Sequence, residues 1–81
     1  MYYIGQCPIC RQGVLEILKE DKSGTIYIHC DECEAEWRNP EDALEVRNGT
    51  RFHFGLSKPA SLEEVYEMNW KVEVHNMPEE D

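Results

Sequence analysis

Cys7-Pro8-Ile9-Cys10 and Cys30-Asp31-Glu32-Cys33 form two matched C-x-x-C pairs with 19 residues between them. Thiolates paired at that spacing point to a single tetrahedral metal site, each pair closing a tight turn that supplies two ligands. Cysteines only three positions apart make a poor structural disulfide, and thiol exchange needs no more than one such pair. The expected ligand set is therefore Cys7, Cys10, Cys30 and Cys33, around one structural Zn²⁺ ion. Four thiolates leave no coordination position open for substrate or water, which argues against metal catalysis.

Chain length makes the same demand from another direction. The 81 residues fit one small domain, and a chain of this size buries only about 60% of its unfolded surface, so its core needs a staple. Structural zinc contributes on the order of 10–16 kcal/mol in finger peptides, enough to decide whether the N-terminal half folds. Iron in a rubredoxin-like centre would use the same four thiolates, but such turns usually carry Gly after the second Cys. Arg11 and Glu34 stand in those places.

Working outward from the cysteines, Tyr2 to Ile4 reads as a strand entering the first pair and Val14 to Lys19 as a strand leaving it. Asp21-Lys22-Ser23-Gly24 is a turn, with Gly24 free to take positive φ. Thr25 to Cys30 alternates, placing Ile26, Ile28 and Cys30 on one face and Thr25, Tyr27 and His29 on the other. Two knuckles on a β-hairpin are the plan of a zinc ribbon, expected over residues 1–38 with a third strand at Glu36-Trp37-Arg38. His29 lies next to a ligand, but four cysteines already complete the set.

Residues 39–76 read as an α/β extension packed on the ribbon. Asn39-Pro40-Glu41-Asp42 signals a helix start, with Asn as cap, Pro at the first helical position and two acids facing the positive end of the dipole; this helix ends near Val46. Arg51-Phe52-His53-Phe54 predicts a strand with both Phe side chains on one side. Ser61-Leu62-Glu63-Glu64 is a capping box opening a helix through about Asn69, with Leu62, Val65, Tyr66 and Met68 as its apolar positions. Trp70 to His75 alternates and predicts a final strand, while residues from Asn76 on, an acidic tail over 77–81, are expected to fray. Phe52, Phe54, Leu62, Val65, Tyr66, Trp70, Val72 and Val74 make a hydrophobic set too small to stand alone, and Trp37 is the natural bridge to the ribbon. The fold class is therefore α+β: a zinc ribbon extended by short helices and C-terminal strands in a single domain, 1–81.

Charge bounds the function. The chain carries 17 acidic and 8 basic residues for a net charge of −9, and four thiolates with one Zn²⁺ take it to about −11. Ribbons that grip nucleic acid present Lys and Arg to phosphates, whereas this second knuckle carries Asp31, Glu32, Glu34 and Glu36, and the basic residues are scattered singly. Direct nucleic-acid binding is not expected. No Gly-x-Ser-x-Gly, phosphate loop or His-Glu-x-x-His is present, and His53 and His75 fall on polar strand faces, so no enzyme is expected. The N-terminus lacks a basic region followed by an apolar stretch, no run reaches transmembrane length, and cysteines used as ligands suit a reducing interior. These point to the cytoplasm and away from membranes. Asn48-Gly49-Thr50 reads in that setting as a turn rather than a glycosylation site.

Cys7-Pro8-x-Cys10, Cys30-x-x-Cys33 followed by Trp37 and Pro40-Glu41, and Pro59-Ala60-x-x-Glu63-Glu64 ending at Trp70 together resemble small bacterial zinc-ribbon proteins. Their genes often lie beside polymorphic toxins, including those of contact-dependent growth inhibition, where they are taken for immunity proteins. The resemblance implies a protein that binds and neutralises a cognate toxin, and the acidic surface implies that the toxin is basic, as nucleases commonly are. The contact residues expected on this reading are Tyr27, Asp31, Glu32, Glu34, Glu36, Trp37, Glu63 and Glu67, the two aromatics serving as exposed anchors. The alternative is a zinc-ribbon adaptor or accessory subunit of a transcription, translation or nucleic-acid-processing complex.

Overall fold

The computed structural model describes residues 1–77. The elements in chain order are β1 (Tyr2–Gln6), β2 (Val14–Glu20), β3 (Ile26–Cys30), β4 (Ala35–Trp37), α1 (Pro40–Glu45), β5 (Thr50–Arg51), β6 (Ser57–Pro59), α2 (Leu62–Glu67) and β7 (His75–Asn76). The hairpin of β2 and β3 pairs from Leu15 opposite Cys30 to Lys19 opposite Ile26. Its turn closes with Gly24 at φ 74° and with Glu20 N–H donating to Thr25 O at 2.9 Å.

One antiparallel sheet grows from this hairpin. On one side β4 pairs with β3, Ile28 opposite Trp37, and β5 with β4, Glu36 opposite Thr50. On the other side β2 has two partners along one edge. Its start pairs with β1, Gln6 opposite Val14, and its end with β6, from Leu18 opposite Pro59 to Glu20 opposite Ser57. β7 then pairs with β1, Tyr3 opposite His75. The second half of the chain therefore joins the strands of the first by backbone ladders as well as by side-chain packing. The result is a single α+β domain.

Strand alternation sorts the side chains between the two faces. Ile4, Leu15, Ile17, Ile26, Ile28, Ala35 and Trp37 cluster with Ala43 of α1, with Val65 of α2 and with Ala60 between β6 and α2, and Trp70, Val72 and Val74 pack against them. Trp37 is the expected bridge, and it fixes its neighbour: a Cβ on Gly49 would lie 2.9 Å from Trp37 Nε1. Leu15, Ile17 and Ile28 are fully buried, each such side chain contributing about 1.5–3 kcal/mol. The opposite face carries Glu16, Leu18, Tyr27, His29 and Glu36.

Both helices start as the sequence predicts. Asn39 Oδ1 accepts from Asp42 N–H at 2.9 Å, and the Ser61–Glu64 capping box is complete, with 3.2 and 2.9 Å bonds. α1 also ends as expected, at Glu45 with Val46 as a left-handed cap at φ 55°. α2 stops at Glu67 rather than near Asn69, which itself turns left-handed at φ 56°; Tyr66 and Met68 are exposed instead of buried. The strand predicted over 51–54 ends at Arg51 because Phe52 is left-handed at φ 59°, which sends Phe52 outward and leaves Phe54 half-buried. From Trp70 to Val74 the burial alternates as predicted, yet only His75 and Asn76 are strand, since β1 offers them two paired positions. Nor does the chain fray at Asn76: Met77 N–H donates to Met1 O at 2.8 Å. The rest of the predicted acidic tail, 78–81, lies outside the described residues.

Candidate metal centre

Adjacency of β1, β2 and β3 places the two knuckles side by side at one end of the sheet. Cys7 follows β1, Cys30 ends β3, and Cys10 and Cys33 come from the turns beyond them. All four sulfurs lie within 4.8 Å of one another, with Cys7 Sγ to Cys33 Sγ at 3.8 Å and Cys10 Sγ to Cys30 Sγ at 3.6 Å. A tetrahedron of metal–sulfur bonds of about 2.3 Å has edges of about 3.8 Å. The cysteines are free thiols, and the four together could hold a metal ion.

The two knuckles share one backbone design. Arg11 N–H donates to Cys7 O at 3.0 Å and Glu34 N–H to Cys30 O at 3.1 Å. Arg11 and Glu34 take φ of 58° and 67°, the left-handed conformation for which Gly is the usual choice. The turns thus form without glycine, at a cost of roughly 1–2 kcal/mol per residue. Amides point at the sulfurs: Gly13 N–H donates to Cys10 Sγ, and Glu32 and Cys33 N–H to Cys30 Sγ, each at 3.4 Å.

Gly13 is the spacer between the knuckles. A Cβ there would fall 2.7 Å from both Cys30 Sγ and Asp31 Oδ1, closer than nonbonded atoms approach. Asp31 closes the joint, its Oδ1 accepting from Val14 N–H at 2.9 Å. Arg51 Nε adds a bond to Cys33 O at 3.0 Å.

Electrostatics at the four sulfurs is uneven. The amides of Gln12 and Gly13 pull the Cys10 thiol down to about 6, whereas burial pushes Cys30 up to about 12. Cys7 and Cys30 are fully buried and Cys10 and Cys33 half-buried. Four thiolates held this close together would need a cation among them, and the N–H···S bonds would share out what charge remains.

His29 stands apart from this set. It lies on the opposite face of β3, its Nδ1 2.7 Å from Glu16 Oε2 and its Nε2 3.9 Å from Glu34 Oε2. The hydrogen bond to Glu16 raises its pKa against the opposing effect of burial.

The expected contact surface is redistributed. Asp31, Glu32 and Glu34 are exposed at the second knuckle, and Glu63 and Glu67 on α2. Tyr27 and Trp37, expected as exposed anchors, are each only 2% exposed: Trp37 lies in the core, and Tyr27 is stacked under Phe54 at 4.0 Å between ring centroids. Glu36 is 4% exposed and works internally. Its Oε1 accepts from Thr50 Oγ1 at 2.9 Å and His53 N–H at 3.0 Å, and its Oε2 from Phe54 N–H at 3.2 Å. These three residues leave the list of surface contacts. Phe52 and Leu56, which sequence reasoning did not place on the surface, are 80% and 86% exposed; only the aromatic run before Gly55 hinted at an unusual loop.

No family model matches the chain, and neither the curated proteins nor the solved structures give a match. No helix among the described residues is long and apolar enough to cross a membrane.

Proposed function

We propose that this is a zinc-ribbon immunity protein, cytoplasmic, which binds and neutralises a cognate cationic toxin such as a nuclease. Zn²⁺ is the ion that the four thiolates would hold. It has no redox chemistry, accepts a tetrahedral thiolate set without preference from d electrons, and would serve here to lock the two knuckles together. The work falls to the protein surface.

The observation that carries this reading is a cluster of four cysteines together with outward-facing carboxylates, Asp31, Glu32 and Glu34 at the second knuckle and, elsewhere on the surface, Glu63 and Glu67 on α2. With 17 acidic against 8 basic residues, such a surface repels phosphate backbones and speeds encounter with cationic proteins at low salt. An acidic inhibitor seated on a nuclease would occupy the surface that otherwise takes the nucleic acid. The link to toxin loci rests on the sequence resemblance.

Co-expression with the C-terminal domain of whatever protein is encoded immediately upstream of the gene tests the reading. Growth rescue by the wild type, lost in Cys30→Ser, is the expected result. A harmless neighbour, or toxicity without rescue, would overturn it in favour of the adaptor role. Metal analysis of the purified protein decides the ion: one zinc per chain is expected, and a red iron protein that bleaches reversibly on reduction would replace zinc with a rubredoxin-like centre.

A further inference from the structure

The loop between β5 and β6 is pinned along its length, yet two of its apolar side chains face solvent. Glu36 accepts from the amides of His53 and Phe54, and Glu20 Oε2 accepts from Gly55 N–H at 2.5 Å. Asp21 N–H donates to Leu56 O at 2.9 Å, and Ser57 Oγ lies 2.6 Å from the Tyr27 hydroxyl. Phe54 is stacked on Tyr27. Phe52 and Leu56 are nonetheless 80% and 86% exposed, and Phe52 holds φ 59°, an outlier for a bulky aromatic. Strain of this kind persists where the surroundings over-determine a conformation, and it concentrates at ligand clamps.

These side chains border a groove of about 280 Å³ on the sheet face opposite the core, which Leu18, Tyr27, His29 and Glu34 also line. The chemistry of the groove selects its occupant. Glu36 has its carboxylate filled by the loop, and His29 is engaged by Glu16 at 2.7 Å. Glu34 lies 3.9 Å from His29 Nε2, beyond hydrogen-bond distance, and with a side chain 52% exposed it offers a carboxylate at the rim. Apolar walls ending in a carboxylate suit a long side chain with an aliphatic stem and a cationic head. Arg fits better than Lys, because its planar guanidinium stacks on an aromatic ring and meets a carboxylate with two parallel hydrogen bonds.

We propose that this groove docks an arginine-bearing segment of the protein partner, the Arg stem lying against Phe52 and Leu56 and its guanidinium meeting Glu34. This rests on the reading of the chain as a binder of a cationic protein, and it locates the contact away from the α2 carboxylates.

The test is an amide-shift titration of the ¹⁵N-labelled, metal-loaded full chain with a blocked Gly/Ser peptide carrying two arginines. The control peptide carries citrulline, a neutral isostere, in their place. Shifts centred on Glu34 and residues 52–56, lost with citrulline, are expected. Phe52→Ala should weaken binding roughly two- to fivefold, the size of an exposed cation–aromatic contact, and Glu34→Gln should weaken it and flatten its salt dependence. Both side chains are exposed, and spectra of the free variants will show that the fold is kept. Shifts centred on Glu63 and Glu67, or spread over every acidic group, would overturn the groove while leaving the cationic partner standing. Binding that Phe52→Ala leaves unchanged would overturn it equally. Absence of any shift would overturn the groove, and growth rescue would then decide the broader reading independently.

Discussion

Glu36 offers the sharpest test of how this chain spends a buried charge. Replacing it with Ala removes the acceptor for Thr50 Oγ1, His53 N–H and Phe54 N–H. A buried donor left without a partner costs about 1–3 kcal/mol; because water can reach part of this loop, the low end applies to each, and the loss comes to about 3 kcal/mol. A domain of this size has a total stability of about 4–12 kcal/mol, so such a loss would lower Tm by about 12–24 °C. Glu36→Gln should cost less, since it keeps one acceptor and turns an NH₂ toward the amide of Phe54. The assay is urea unfolding of the metal-loaded protein followed by tryptophan fluorescence, with Thr50→Val combined with Glu36→Ala in a double-mutant cycle. The double mutant should be less destabilised than the sum of the singles by about 1 kcal/mol, because both remove the same bond. The competing effect is repulsion among the acids: if it governed, Glu36→Gln would be more stable than wild type. That result, or a loss in Glu36→Ala below about 0.5 kcal/mol, would refute the clamp.

Other outcomes follow from geometry already described. Arg11→Gly and Glu34→Gly should each stabilise the metal-loaded protein by about 0.5–1 kcal/mol in denaturant melts, because glycine takes positive φ without a Cβ clash. Gly13→Ala should do the reverse, weakening metal retention in a chelator competition, since its methyl would meet Cys30 Sγ and Asp31 Oδ1 at 2.7 Å. The Lys19 ammonium and the Ser61 amide hold the Glu64 carboxyl down to about 2 from an ordinary 4.5. Its contribution is therefore present above pH 4.5 and lost as pH falls toward 2, so the stability gap between wild type and Glu64→Gln should close across that window; a constant gap would place the effect outside the ion pair. Reversing Glu32 and Glu34 to Lys should slow association with a cationic partner and flatten its salt dependence, read by stopped flow at several ionic strengths.

Much of the architecture was legible because it follows from local rules. The cysteine spacing, the alternation of Ile26 and Ile28, the turn at Gly24, and the caps at Asn39 and Ser61 each act within a few residues, and both helices begin where their caps put them. What the sequence concealed depends on long-range partners. Period-two alternation could say that Tyr27 and Glu36 leave the core face, but not that a loop 14 to 30 residues later would fold over and bury both. Left-handed Phe52 carries no local signature and ends a strand that propensity would have continued, whereas Asn69 is of a residue type that takes positive φ past helix ends. The Trp70–Val74 stretch alternates correctly and lacks a ladder because a strand needs an edge to pair with. The same limit applies to the acidic face, since a carboxylate that clamps backbone amides and one that meets solvent look identical in a list of residues.

The short strands of the second half have a consequence for the edges of the sheet. β5 covers the outer edge of β4, β6 covers the outer half of β2, and β7 covers β1. Each is only two or three residues long, and between them they bring Arg51, Lys58 and Pro59 to the margins of the sheet. Brevity, a charged side chain and a missing N–H are the devices by which sheets avoid recruiting another chain. A fragment ending at residue 38 would keep every cysteine but lose all three guards. Its bare β2 and β4 edges would then be open to intermolecular pairing, so the metal-binding half should aggregate when expressed alone even with its ion in place.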